Sequence, residues 1–166
     1  MSACPSQDEL EALGRALGSA LLDRGWRMVT AESCTGGWIA QVMTATAGSS
    51  DWFECALVTY SNAAKINLLG VDAMALERFG AVSVETAQQM ADGALRAVGV
   101  DVAVAVTGVA GPGGGSPDKP VGTVCFGFTV AGRNTLTERH VFPGDRRQVR
   151  ARTVAHALNR LLVLLT

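Results

Sequence analysis

The sequence predicts a three-layer α/β/α domain built on a mixed, mostly parallel sheet that includes one hairpin. Three observations predict it. Segments with apolar residues at helical spacing alternate with short strand-like runs along most of the chain. The run over 100–107 alternates Val and Ala between Asp101 and the closing Thr107, so both faces are apolar, as in a central strand covered by helices. Two late runs, 121–130 and 135–142, face each other across Gly132-Arg133-Asn134, a hairpin connection.

The elements follow in order. Leu10, Leu13, Leu17 and Leu21 mark a first helix, and Gly25 stops it. Residues 26–31 read as a strand, and 36–46 as a second helix opening just after Ser33. Residues 54–60 form a strand, after which Ser61 or Asn62 caps a helix to about residue 69. Ser83 caps the next helix, with Val84, Ala87, Ala91, Ala94, Leu95 and Val98 on one face. After the hairpin, Val149, Val154, Leu158, Leu161 and Leu165 mark a closing helix.

A chain of 166 residues fits one compact domain, expected over 8–166 behind a flexible tail at 1–7. The formal net charge of -1 argues against a general nucleic-acid binder, which carries a basic excess. Cys4, Cys34, Cys55 and Cys125 are scattered without a C-x-x-C pair, so neither a zinc finger nor a redox pair is expected. They read as reduced thiols of a cytoplasmic protein. No signal peptide opens the chain, and no apolar run approaches the roughly 20 residues that cross a bilayer, so no membrane partner is expected.

Ser33 stands where a strand ends and a helix begins, which is the placement of a nucleophile elbow, although the G-x-S-x-G pattern is absent. Two readings stand. Ser33 or Thr35 is an ordinary helix cap, or Ser33 is a nucleophile whose oxyanion meets free N–H groups near Thr35, Gly36 and Gly37. A serine triad needs a histidine, and the chain has only His140, in the late hairpin, and His156, in the last helix. Structural roles fit both better. There is no H-E-x-x-H and no clustered Asp/His set, so no metal is expected at the site.

Lysines are scarcer than arginines, two (Lys65 and Lys119) against twelve. Arginine stays protonated at any working pH, whereas a desolvated lysine can act as a base. Lys65 falls in the first turn of a helix, whose positive end disfavours an ammonium, and burial would act in the same direction. It is either that base or a solvated surface lysine. Tyr60, the only tyrosine, lies five residues earlier and can share a cavity with it.

The run Thr107, Gly108 to Gly115 follows the apolar strand directly. It is no P-loop, because Gly114 stands where lysine is required, and Ser116 breaks the dinucleotide fingerprint. A glycine loop at the C-terminal end of a strand is nonetheless where open α/β sheets bind ligands, and a plain surface loop is the alternative. Arg146, Arg147 and Arg150 crowd the start of the last helix, where cations are unfavourable unless an anion joins them.

Together the stretches TAESCTGG (30–37), VTYSNAAKINLLGV (58–71), FGAVS (79–83), AVTGVAGPGGGSPDKPVGTV (105–124) and FPGDR (142–146) resemble the CinA C-terminal domain family. The resemblance covers nearly the whole chain from about residue 8 and implies the stand-alone form, without the molybdopterin-binding-like domain of larger members. It implies a homodimer that deamidates nicotinamide mononucleotide to nicotinate mononucleotide and ammonia in pyridine-nucleotide salvage, with no cofactor. It also implies catalysis by Ser33, Lys65 and Tyr60, with Thr35, Gly36, Thr107, Gly108, Gly111, Gly113 and Arg150 around the substrate. Two other readings stay open: a non-catalytic nucleotide-binding protein using the same cleft, and a serine amidase for another small carboxamide.

Overall fold

The helices begin where the sequence supplies their caps. In the computed structural model, which describes residues 4–166, the chain runs α1 (Gln7–Leu22), β1 (Met28–Glu32), α2 (Trp38–Thr44), a 3-10 turn (Ser49–Asp51), β2 (Phe53–Val58) and α3 (Asn62–Leu69). It continues as α4 (Ala73–Phe79), α5 (Val84–Val98), β3 (Val102–Gly108), β4 (Thr123–Val130), β5 (Leu136–Val141) and α6 (Arg146–Leu165). Ser6, Ser61, Ser83 and Asp145 each accept a backbone N–H of the helix they precede, satisfying a donor the first turn leaves open. Of the tail expected over 1–7, residues 1–3 lie outside the described residues, and Ser6 and Gln7 are the cap and first residue of α1. The short helix α4 is an addition to the sequence reading. It is capped by the Asp72 side chain, which accepts from the Met74 N–H.

The five strands form one sheet in the order β2-β1-β3-β4-β5. β1 pairs in parallel with β2 and β3, while β3–β4 and β4–β5 are antiparallel. The expectation of a mostly parallel sheet is therefore corrected to an even split. The reason is the connection after β3: residues 109–122 form a loop, and a parallel return requires a long crossover, usually helical. The hairpin stands where the sequence put it, with Phe128 of β4 opposite Leu136 of β5.

Side chains of the sheet sort by size between its faces. Met28, Val102, Val104, Val106, Val124, Phe126 and Phe128 point into one apolar cluster with α1, α2 and α6. Val29, Ala31, Ala103 and Ala105 point the other way, onto Met90, Ala91 and Ala94 of α5. The small residues let α5 sit close to the sheet, and α3 and α4 pack in turn against α5. The parallel strands β1, β2 and β3 all end on one side of this frame, and each feeds a loop. Those three loops carry Ser33, Tyr60 and the glycine run.

Candidate functional site

Past the end of β1 the chain stays tied to the sheet. The Ser33 N–H donates to the Val106 carbonyl at 3.0 Å, and the Thr59 N–H donates to the Glu32 carbonyl at 2.9 Å. Glu32 itself is fully buried. Its carboxylate accepts from the Thr35 hydroxyl at 2.6 Å and from the backbone N–H groups of Gly37, Ile39 and Ala40 at 3.0, 3.1 and 2.9 Å. The Thr30 hydroxyl adds a fifth bond at 3.1 Å. A negative charge at the positive end of α2, satisfied by five donors, is a favourable way to bury a carboxylate. The turn that delivers these N–H groups passes through Gly36 and Gly37 at φ 60° and 96°, a left-handed path that glycine takes without strain.

This arrangement changes the expected oxyanion site. The Gly37 N–H is spent on Glu32 and the Gly36 N–H on the Ser33 carbonyl. Of the donors expected near the serine turn, those of Gly36 and Gly37 are therefore already committed. Glu32 was not among the expected residues, because it precedes the cap residue Gly37 by five positions and matches no local capping pattern. Glu32→Gln is expected to destabilise the fold by about 2–4 kcal/mol, since an amide N–H₂ would face backbone donors in a buried site. Urea unfolding monitored by circular dichroism reads this directly, and an unchanged midpoint would contradict the anchoring role.

Ser33 is 8% exposed and Lys65 is 1% exposed. The Lys65 Nζ lies 3.1 Å from the Ser33 Oγ, 2.8 Å from the Thr59 carbonyl and 3.2 Å from the Tyr60 carbonyl. Among the described residues no carboxylate pairs with it. Burial pushes its ammonium below the ordinary lysine range. As an ammonium it donates to all three oxygens. As the neutral amine its two N–H bonds go to the two carbonyls, and its lone pair accepts from the Ser33 hydroxyl. Cys34, the neighbouring thiol, is pushed up to about 12 by burial, which makes it a poor nucleophile at neutral pH.

A cleft of about 190 Å³ opens over this pair. Of the expected residues it is lined by Ser33, Tyr60, Lys65, Thr107 and Gly108, joined by Cys34, Ala81, Val82, Ala110 and Arg146. Thr107 is buried and donates its hydroxyl to the Ala81 carbonyl at 2.7 Å, fixing the wall opposite the serine turn. Gly108 is pressed against β4: a Cβ there would stand 2.8 Å from the Thr123 carbonyl oxygen. Tyr60 is 65% exposed, with its hydroxyl 3.3 Å from an Arg146 guanidinium nitrogen at the mouth of the cleft.

The remaining expected residues stand around the cleft rather than in its wall. Thr35 and Gly36 shape the serine turn, Gly111 offers its carbonyl to Arg146 at 2.9 Å, and Gly113 is exposed. Arg150 donates to the Cys34 and Thr35 carbonyls at 3.0 and 2.8 Å and lies over the Trp38 ring, so it braces the serine turn from outside. Arg146, one helical turn earlier, is the arginine that reaches the cleft. His140 and His156 both bond Glu138 instead of the serine.

Comparison with known proteins adds to this geometry. The CinA C-terminal domain profile matches residues 10–165. The chain is 50% identical over 156 residues to the nicotinamide-nucleotide amidohydrolase PncC of Escherichia coli, covering 94% of each protein. It is 50% identical over 157 residues to the protein of the same name from Enterobacter agglomerans, covering 95% of this chain and 96% of that one. The structure resembles the crystal structure of the competence/damage inducible protein CihA from Agrobacterium tumefaciens, with a TM-score of 0.93 and 44% identity over the full length of both.

Proposed function

The chain belongs to the CinA C-terminal domain family, and from that premise we propose that it is a nicotinamide-nucleotide amidohydrolase working through a Ser33–Lys65 pair. The observation that carries the mechanism is the 3.1 Å contact between the Ser33 Oγ and a buried Lys65 Nζ that lacks a carboxylate partner among the described residues. Lys65 takes the hydroxyl proton as Oγ attacks the carboxamide carbon of the mononucleotide. The tetrahedral intermediate collapses when Lys65 returns that proton to the leaving nitrogen. Ammonia departs and leaves an ester on Ser33. Water, deprotonated by the same amine, attacks the ester carbonyl; the C–Oγ bond breaks, Lys65 returns the proton to the Ser33 Oγ, and the nicotinate product leaves. With the Gly36 and Gly37 donors committed, the N–H groups of Cys34 and Thr35 are the ones we assign to the oxyanion, where one donor is typically worth about 10²–10³ in rate.

Tyr60 contributes twice in this reading. Its carbonyl orients the amine, and its hydroxyl, with Arg146, flanks the entrance. Arg146 meets the substrate phosphate, while Thr107, Gly108 and the loop through Gly111 and Gly113 confine the ring and ribose. Thr35, Gly36 and Arg150 serve the substrate by holding the serine turn in place. A homodimer in the cytoplasm is the setting the family resemblance implies.

Ammonia release measured across free nicotinamide, the mononucleotide and the dinucleotide tests the proposal. Turnover is expected with the mononucleotide by a wide margin. Tight calorimetric binding of the mononucleotide without ammonia release would favour a non-catalytic binding protein, and turnover of a different carboxamide alone would move the substrate assignment.

A further inference from the structure

The chain's two histidines converge on one glutamate, away from the serine cleft. Glu138 and His140 are two residues apart on β5 and so share a face of the sheet. His156 and Arg160 are four apart on α6 and share the helix face that covers it. The Glu138 Oε2 lies 3.1 Å from the His140 Nε2 and 2.7 Å from the His156 Nε2, and the three atoms all fall within 4.8 Å of one another. On the other side of the carboxylate, the Arg160 Nε donates to Oε1 at 2.5 Å, which turns Oε2 toward the rings. The imidazoles rest on an aromatic shelf: the His156 centroid is 4.7 Å from Phe126, and His140 stacks on Phe142 at 5.7 Å.

We propose that Glu138, His140 and His156 form a binding site for a divalent transition-metal ion, with zinc as the matching probe, which ties β5 to α6. Two imidazole nitrogens and one carboxylate oxygen are a donor set that zinc accepts, with a fourth position left for water. Ligands at about 2.0–2.2 Å from a tetrahedral zinc stand roughly 3.3–3.5 Å from each other, so the two carboxylate–imidazole spacings open by about 0.2–0.8 Å around an ion that all three atoms, within 4.8 Å of one another, already surround. Each neutral ring shifts its proton from Nε2 to Nδ1 and presents the Nε2 lone pair to the metal; no proton leaves the ring. Arg160 plays the outer part, fixing the carboxylate through its second oxygen. The site lies about 15 Å along α6 from Arg146 at the cleft, so it is separate from the hydrolytic pair.

The test uses the full chain without an affinity tag. Because these are the chain's only histidines, the nitrogen NMR signals of two imidazole rings report on this site and no other. One equivalent of Zn²⁺ is expected to move both rings to the Nδ1–H form and to raise the thermal midpoint. His156→Gln and, as an independent second variant, His140→Gln are each expected to weaken Zn²⁺ binding by more than about 100-fold, beyond the loss typical of an outer-shell change. Ammonia release is expected to be unchanged in both. Cys4→Ser and Cys55→Ser are expected to leave Zn²⁺ affinity unchanged. Imidazole signals that stay put under excess Zn²⁺, or binding that disappears with the cysteines, would overturn the proposal.

Discussion

Ser33→Ala is expected to lower kcat for ammonia release from nicotinamide mononucleotide by on the order of 10⁴–10⁶-fold, the range seen when a hydrolase loses its nucleophile. The fold is expected to survive intact. What holds residue 33 is its backbone, through the N–H to the Val106 carbonyl, and the neighbouring Glu32 carboxylate with its five donors. Among the described residues the hydroxyl's hydrogen-bond partner is Lys65, which keeps the Thr59 and Tyr60 carbonyls when the hydroxyl is removed. Stability should therefore change by less than about 1 kcal/mol, and calorimetric binding of the mononucleotide should remain. The double variant Ser33→Ala/Lys65→Met should be no slower than the single one, because members of one catalytic unit are not additive. Full activity in the alanine variant would sink the serine mechanism.

Lys65→Met separates chemistry from stability in the opposite way. Activity is expected to fall by at least about 10³-fold, since general-base assistance and correct positioning are lost together. Stability is expected to hold or rise, because a side chain of similar length replaces a buried amine without removing an ion-pair partner. The pH dependence gives the sign. Burial lowers the Lys65 pKa in the folded protein from its ordinary value of 10.5. Between the lowered value and 10.5 the unfolded chain binds one more proton, so unfolding free energy rises with pH across that window. Below the window the desolvation penalty is present in full. Wild type should thus gain stability as pH rises through this range, and Lys65→Met should not. The rate should climb as pH rises through the lowered value, where the free amine appears, and level off above it. Lys65→Arg is expected to be inactive and less stable, since a guanidinium cannot give up its proton. A wild-type rate with no rising limb at any pH up to 10.5 where the protein stays folded, or a Lys65→Met variant that keeps the wild-type rate and pH profile, would argue against lysine as the base.

The parts of this site that could be read from the chain are those with local signatures. A serine at a strand–helix turn, a lysine in a helix first turn and a glycine run after an apolar strand are each visible within ten residues. The parts that escaped depend on distance in space. Glu32 reaches forward to N–H groups at 37, 39 and 40, a span no capping-box pattern covers. Arg146 and Arg150 lie on one face of α6, one turn apart, so periodicity alone does not say which enters the cleft; Gly111 and Tyr60 draw in the first, and the serine-turn carbonyls hold the second. The helix α4 is only one and a half to two turns long and rests on a single Asp72 cap, too short to show an apolar stripe. The sheet's antiparallel half followed from the lack of a helix between β3 and β4, a point the sequence contained but the strand–helix alternation elsewhere outweighed.

The anchor and the nucleophile are consecutive residues, yet the carboxylate at 32 sustains the architecture and the hydroxyl at 33 only the reaction. Lesions one codon apart should therefore have unlike fates in a living cell. A change at 33 leaves a well-folded, inert protein at normal abundance, still able to sequester its ligand from an active copy. A change at 32 enlarges the unfolded fraction that proteases remove, so the protein itself grows scarce. Immunoblot abundance, set beside activity in extracts, would tell the two kinds of defect apart without purifying either variant.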